Sequence, residues 1–163
     1  FAHHIMKISN LNSLVELYFK KTEEVNGNKP FLKWLKPGKS TYNWEDITQN
    51  IFKLSLKIKS LIQEGDRCLI LSENRPYWLM SDISIMNAGG ISVPIFTTYS
   101  ANDYEYILKD CNPSLIIVSN NDHFKKIKKY INENVKKLYL SKKLILKAYS
   151  SKIFYKKILM KKL

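Results

Sequence analysis

Apolar positions divide this chain into strand-length runs and helix-length stripes, most clearly between residues 65 and 98. Residues 67–72, RCLILS, form a short apolar run between the turn formers Gly65-Asp66 and Asn74-Arg75-Pro76. That is the pattern of a buried strand. Asn74 is placed as a helix N-cap and Pro76 as the first helical residue, where its missing N–H costs nothing. Trp78, Leu79, Met80, Ile83, Ile85 and Met86 make the following helix apolar, and Gly89-Gly90 should end it, since glycine accepts the left-handed cap. Residues 91–95 then read as a second strand with Pro94 at an edge. A strand, helix and strand in so short a span predict a right-handed crossover with parallel strands.

The same reading extends both ways. Ser13 and Glu16 have capping-box spacing before a helix with Leu14, Val15, Leu17, Tyr18 and Val25 on its apolar side, ended by Asn26-Gly27-Asn28. Residues 30–35 and 40–42 flank Pro37-Gly38 as a β-hairpin. Asn43 caps a helix over about residues 44–62, its stripe made by Ile47, Ile51, Leu54, Ile58 and Leu61, with Glu45 and Asp46 at the positive end of its dipole. After a polar turn at 97–102 come a helix over 103–110, a break at Asn112-Pro113, a strand over 115–118, and a helix expected from 121 to 135 on Phe124, Ile127, Ile131 and Val135. The predicted fold class is α/β: the N-terminal part of a doubly wound parallel sheet with helices on both faces, preceded by a helix and a β-hairpin.

These elements carry a resemblance. The Gly-Asp-Arg strand, the Asn-Arg-Pro-x-Trp helix start, the Gly-Gly stop, the Val-Pro-Ile strand, the Thr-x-Ser turn, the acidic helix and the next strand follow one another over residues 13–120. In that order they resemble the N-terminal region of adenylate-forming acyl-CoA synthetases, most of all the long-chain fatty-acid–CoA ligases. Thr41, Tyr42 and Glu45 match the family's start of the preceding helix. The resemblance implies an intact enzyme that converts fatty acid and ATP to acyl-adenylate and pyrophosphate, after which the CoA thiolate displaces AMP. It implies ATP, Mg2+ and CoA as cofactors, a fatty acid as substrate, and the remainder of the ligase as the chain's partner. A short-chain or aryl acid ligase of the same superfamily is the nearest alternative.

Composition alters this picture mainly at the C-terminus. The 163 residues suffice for one domain with a real core but fall far short of a complete ligase, so the chain reads as a fragment. Residues 1–8 are set aside as leader, His3-His4 included, because a lone His pair is a poor metal site. The net charge is +13, yet residues 1–124 carry 13 Lys and Arg against 13 Asp and Glu. All the excess lies beyond. Residues 9–137 are therefore taken as the ligase subdomain, and 138–163 as a lysine-rich tail without acid, Gly or Pro, its lysines pointing all round a helix. Such a stretch is expected to be non-native, as from a frameshifted reading, or disordered. A basic module that recruits the chain to anionic lipid or nucleic acid is a rival reading. Nucleic acid is not the expected partner, while peripheral membrane association and a homodimer stay open. The body reads as cytoplasmic.

Candidate chemistry is sparse. Glu73, Asn74 and Arg75 lie between a parallel strand and a helix, where open α/β sheets place ligands; a capped helix with Arg75 paired locally is the preferred reading of them. Asp82 reads as a buried acid or equally as a helix-surface one, Thr97, Thr98 and Ser100 as a turn, His123 as a solvated histidine, Trp34 and Trp44 as core. Cys68 and Cys111 fit no metal or disulfide spacing and read as small buried hydrophobes. The family's Ser/Thr/Gly-rich phosphate loop, Tyr-Gly-x-Thr-Glu motif, ribose-binding Asp and C-terminal Lys are not found in the chain, so no catalytic or metal-binding residue is assigned and the cofactor-binding residues are left unknown.

Overall fold

The computed structural model describes residues 12–35 and 41–139. The expected leader with His3-His4, the Pro37-Gly38 turn and residues 140–163 lie outside them.

Helix α1 (Leu14–Glu24) begins where the Ser13 hydroxyl accepts the Glu16 N–H. Only Tyr18 of its apolar side is fully buried, its hydroxyl bonded to Thr48 at 3.0 Å. Strands β1 (Pro30–Lys33) and β2 (Thr41–Asn43) pair antiparallel as the hairpin. Trp44 opens α2 (Trp44–Lys59) and stacks on Phe31 at 3.8 Å, which holds the hairpin against the helix. Asn43 and Asp46 form a reciprocal capping box at that start.

The main sheet follows. Strand β3 (Arg67–Leu71), helix α3 (Pro76–Asn87) and strand β4 (Ile91–Ile95) make the expected crossover, and Gly89, at φ +89°, takes the left-handed turn that ends α3. Helix α4 (Ala101–Cys111), capped by Ser100 and ended by Asn112 at φ 38°, leads to β5 (Leu115–Val118). With the last strand, β6 (Lys136–Tyr139), the order is β4-β3-β5-β6, and all three pairings are parallel. Side chains of β3 alternate between two cores. Cys68 and Ile70 face α2 and α3, whereas Leu69 and Leu71 face α4 and the last helix, α5 (Asn121–Ile127). Among the described residues no helix is long and apolar enough to cross a membrane.

Three expectations need correction. The N-cap of α3 is Arg75, with no side-chain cap bond, because the residue before a proline is forced extended (φ −152°, ψ 162°) and the helix cannot begin earlier. The last helix is only α5 (Asn121–Ile127) with a 3-10 turn over Lys128–Tyr130, not a helix to 135. The chain then turns into β6 (Lys136–Tyr139), which pairs with β5 and satisfies an edge that would otherwise be open. Strand pairing outweighs one more turn of helical periodicity. The expected tail boundary therefore falls inside the fold: Leu138 is only 7% exposed and packs in the core beneath α2 and α3.

Leu138→Ala should lower the unfolding free energy by about 2 kcal/mol, the low end for a buried leucine since β6 is short. Urea denaturation checks it; an unchanged midpoint would put residue 138 outside the cooperative fold.

Candidate functional site

In a doubly wound sheet the ligand crevice lies at the strand C-termini where successive connections leave in opposite directions. Here that point is between β3 and β5, since the chain goes from β3 outward to β4 and then returns past β3 to β5. Glu73 follows β3 by two residues, and Asn120 and His123 follow β5.

These side chains meet. The Glu73 carboxylate accepts from His123 Nε2 at 2.8 Å, from Asn120 Nδ2 at 3.4 Å, and from Arg75 Nη2. Asn120 also caps α5 by accepting the His123 N–H at 2.9 Å, which fixes the backbone that carries the imidazole. Burial pulls the Glu73 carboxyl up, but hydrogen bonds from His123, its own backbone and Ser119, together with the Arg75 charge, outweigh it and hold it at about 2. An ionised carboxylate only accepts, so His123 carries its proton on Nε2. His123 Nδ1 and Arg75 Nε are buried without a hydrogen-bond partner among the described residues.

Arg75 continues the chain of contacts outward. Its guanidinium lies 5.4 Å from the centre of the Trp34 ring, so the cluster reaches the hairpin. Beside it an open groove of about 390 Å³ runs between Leu32, Trp34 and Leu35 of the hairpin side and Arg75, Pro76 and Leu79 at the start of α3.

Sequence reasoning placed Glu73 and Arg75 correctly but missed their partner. His123 is 12% exposed and ligated to Glu73, not solvated. Asn74 takes no part in the α3 cap and is exposed. Asp82 is half-buried on α3; Ser100 caps α4, and the Thr97 carbonyl accepts from Lys126 at 2.8 Å. Both thiols are buried, and burial first, then Asp66, pushes Cys68 up to about 12, which suits packing and not nucleophilic chemistry. Trp34 meets Tyr77 edge-on, and Trp44, half-buried, stacks on Phe31 against the core.

A family model described as AMP-binding enzyme matches residues 19–155. The chain belongs to the AMP-binding enzyme family. Its match runs on through much of the lysine-rich stretch. The chain is similar to the long-chain-fatty-acid–CoA ligase FadD15 of Mycobacterium bovis, 31% identical over 86 residues, which are 49% of this chain and 14% of that protein. It is also similar to fatty acyl-CoA synthetase A of Dictyostelium discoideum, 31% identical over 80 residues, 47% of this chain and 12% of that one. Among solved structures it superposes on the anthranilate CoA ligase AuaEII with a TM-score of 0.70 at 22% identity, covering 87% of this chain and 29% of that one. The fatty acid AMP ligase of Legionella pneumophila gives 0.67 at 19% identity, with 83% and 24% covered. The chain thus spans about a seventh of the curated relatives it matches.

For an AMP-binding enzyme the obvious occupant of the crevice is nucleotide phosphate, and the donor set does not fit it. An ionised carboxylate occupies the middle, and Arg75 Nη2 and His123 Nε2 are already spent on it. Nor do three His, Cys, Asp or Glu side chains converge as metal ligands among the described residues. The cluster can do something simpler: clasp the ends of β3 and β5 and tie them to the hairpin.

Because the folded carboxyl titrates below its ordinary 4.5, the clasp contributes fully above that pH and is lost as pH falls toward about 2. Acid unfolding followed by circular dichroism should show a shallower dependence on pH below 4.5 in Glu73→Gln than in the parent chain. Equal slopes would mean that the clasp does not hold the fold.

Proposed function

We propose that this chain forms the N-terminal part of an ATP-dependent long-chain fatty-acid–CoA ligase and contributes scaffold rather than catalytic groups. In the intact enzyme the fatty carboxylate attacks the α-phosphorus of ATP and expels pyrophosphate; the CoA thiolate then attacks the acyl carbon and AMP leaves. The observation that carries the reading is the family match over residues 19–155, together with the similarity to long-chain ligases. ATP and Mg2+ belong to the family's chemistry, and the clasped crevice is the reason to place their site elsewhere in the enzyme.

The role of this part is to present a rigid sheet edge. A clasp at the strand ends keeps the loops after β3 and β5 fixed, and fixed loops are what a catalytic constellation must be built upon.

Two measurements test this. The purified chain should show no palmitate-dependent exchange of pyrophosphate into ATP; exchange above the palmitate-free blank would contradict the scaffold role. Coding DNA read onward from the Tyr139 codon in three frames should yield a Ser/Thr/Gly-rich loop and a Tyr-Gly-x-Thr-Glu motif; three frames without them would contradict the ligase assignment.

A further inference from the structure

The turn between α1 and β1 serves as part of the cap of α2. The first N–H groups of a helix have no partner within it. In α2 the Trp44 N–H donates to the Lys29 carbonyl at 3.1 Å, the Glu45 N–H to the Gly27 carbonyl at 3.0 Å, and the Asp46 N–H to Asn43 Oδ1 at 2.7 Å. Residues 26–29 therefore hold the first two of these donors. Turn and helix touch at Gly27, where a Cβ would lie 3.2 Å from Glu45 Cβ.

The same turn contains a reactive pair. Asn26 is exposed; its Oδ1 accepts the Asn28 N–H at 3.0 Å and its carbonyl accepts the Lys29 N–H at 2.9 Å. No hydrogen bond occupies the Gly27 N–H among the described residues. The Gly27 nitrogen can close a succinimide ring by attacking Asn26 Cγ, and glycine has no Cβ to crowd that approach. The Asn28 N–H already donates to the oxygen on which negative charge develops as the ring closes, which is how an oxyanion hole acts. No other asparagine in the chain precedes a glycine.

We propose that Asn26-Gly27 is a self-modification site, at which the native chain converts its own asparagine to isoaspartate and so uncaps α2. Gly27 N gives its proton to hydroxide and bonds to Asn26 Cγ; the Cγ–Nδ2 bond breaks, and ammonia leaves with a proton from water. A water molecule then opens the succinimide. Opening at Cγ restores the main chain with an aspartate side chain. Opening at the Asn26 main-chain carbonyl leaves the chain running through Cβ and Cγ, one carbon longer, with a free carboxylate. Ammonia has left and water has entered; nothing is oxidised or reduced. The longer linkage moves the Gly27 carbonyl off the Glu45 N–H, and that donor loses its partner.

The test is storage of the full chain in its native state at mildly alkaline and mildly acidic pH, followed by peptide mapping with mass spectrometry and by thermal melting. Isoaspartate should accumulate at position 26, faster at alkaline pH because hydroxide takes the amide proton. The converted chain should melt about 3 °C lower, the shift that one lost hydrogen bond at a helix start produces. Asn26→Gln, whose longer side chain would need a wider ring, should form no isoaspartate and keep its melting temperature on storage. Gly27→Ala should slow conversion at least about tenfold. Freshly purified Asn26→Asp keeps the native main chain and an acceptor for the Asn28 N–H, so it should melt with the parent. An Asn26 amide that survives native storage while the urea-unfolded chain loses it would overturn the proposal. So would an isoaspartyl chain that melts with the parent, or an Asn26→Asp chain that melts as low as the isoaspartyl one.

Discussion

Strand β3 is bonded on both edges and buried on both faces, and every other element is placed by that constraint. Its residues Cys68, Leu69, Ile70 and Leu71 are fully buried and pair with both β4 and β5. A strand with no free edge or wet face needs a helix layer on each side, and the crossovers supply them: α2 and α3 on one, α4 and α5 on the other. Ser84 and Asn87 of α3 bond to α2 at Ile51 O and Ser55 Oγ, so the first layer is keyed by polar contacts as well as apolar ones.

The same constraint creates the polar cluster. With β3 central and connections leaving it in both directions, the residues just past β3 and β5 must share one edge. Glu73 and His123 are 50 positions apart in the chain and 2.8 Å apart in space for that reason. In many α/β proteins such an edge is open for a ligand. Here a carboxylate, an imidazole, a guanidinium and an amide close it on one another, which favours a structural use of the position.

Much of the fold was legible because its signals are local. Asn43 and Gly89 announce helix ends through their own backbone and side-chain chemistry, and the apolar runs of β3 and β5 are bounded by turn formers; Ser100, read as a turn residue, caps α4, which begins two residues ahead of the expected helix start. Strand β6 was hidden: KKLY offers one buried residue, and Phe124, Ile127, Ile131 and Val135 imitate a longer helix. Only the unpaired edge of β5 could have signalled a fourth strand. The His123 contact was hidden because it depends on strand order; the usable signal was a histidine shortly after a strand expected next to the one preceding Glu73.

Hydrogen exchange in the native state tests the central claim most directly. The amides of Leu69, Ile70, Ile116 and Ile117 should exchange only through global unfolding, with those of the edge strand β4 released earlier by local opening. Exchange of the β3 amides at or before the rate of β4 would contradict a fold organised around β3.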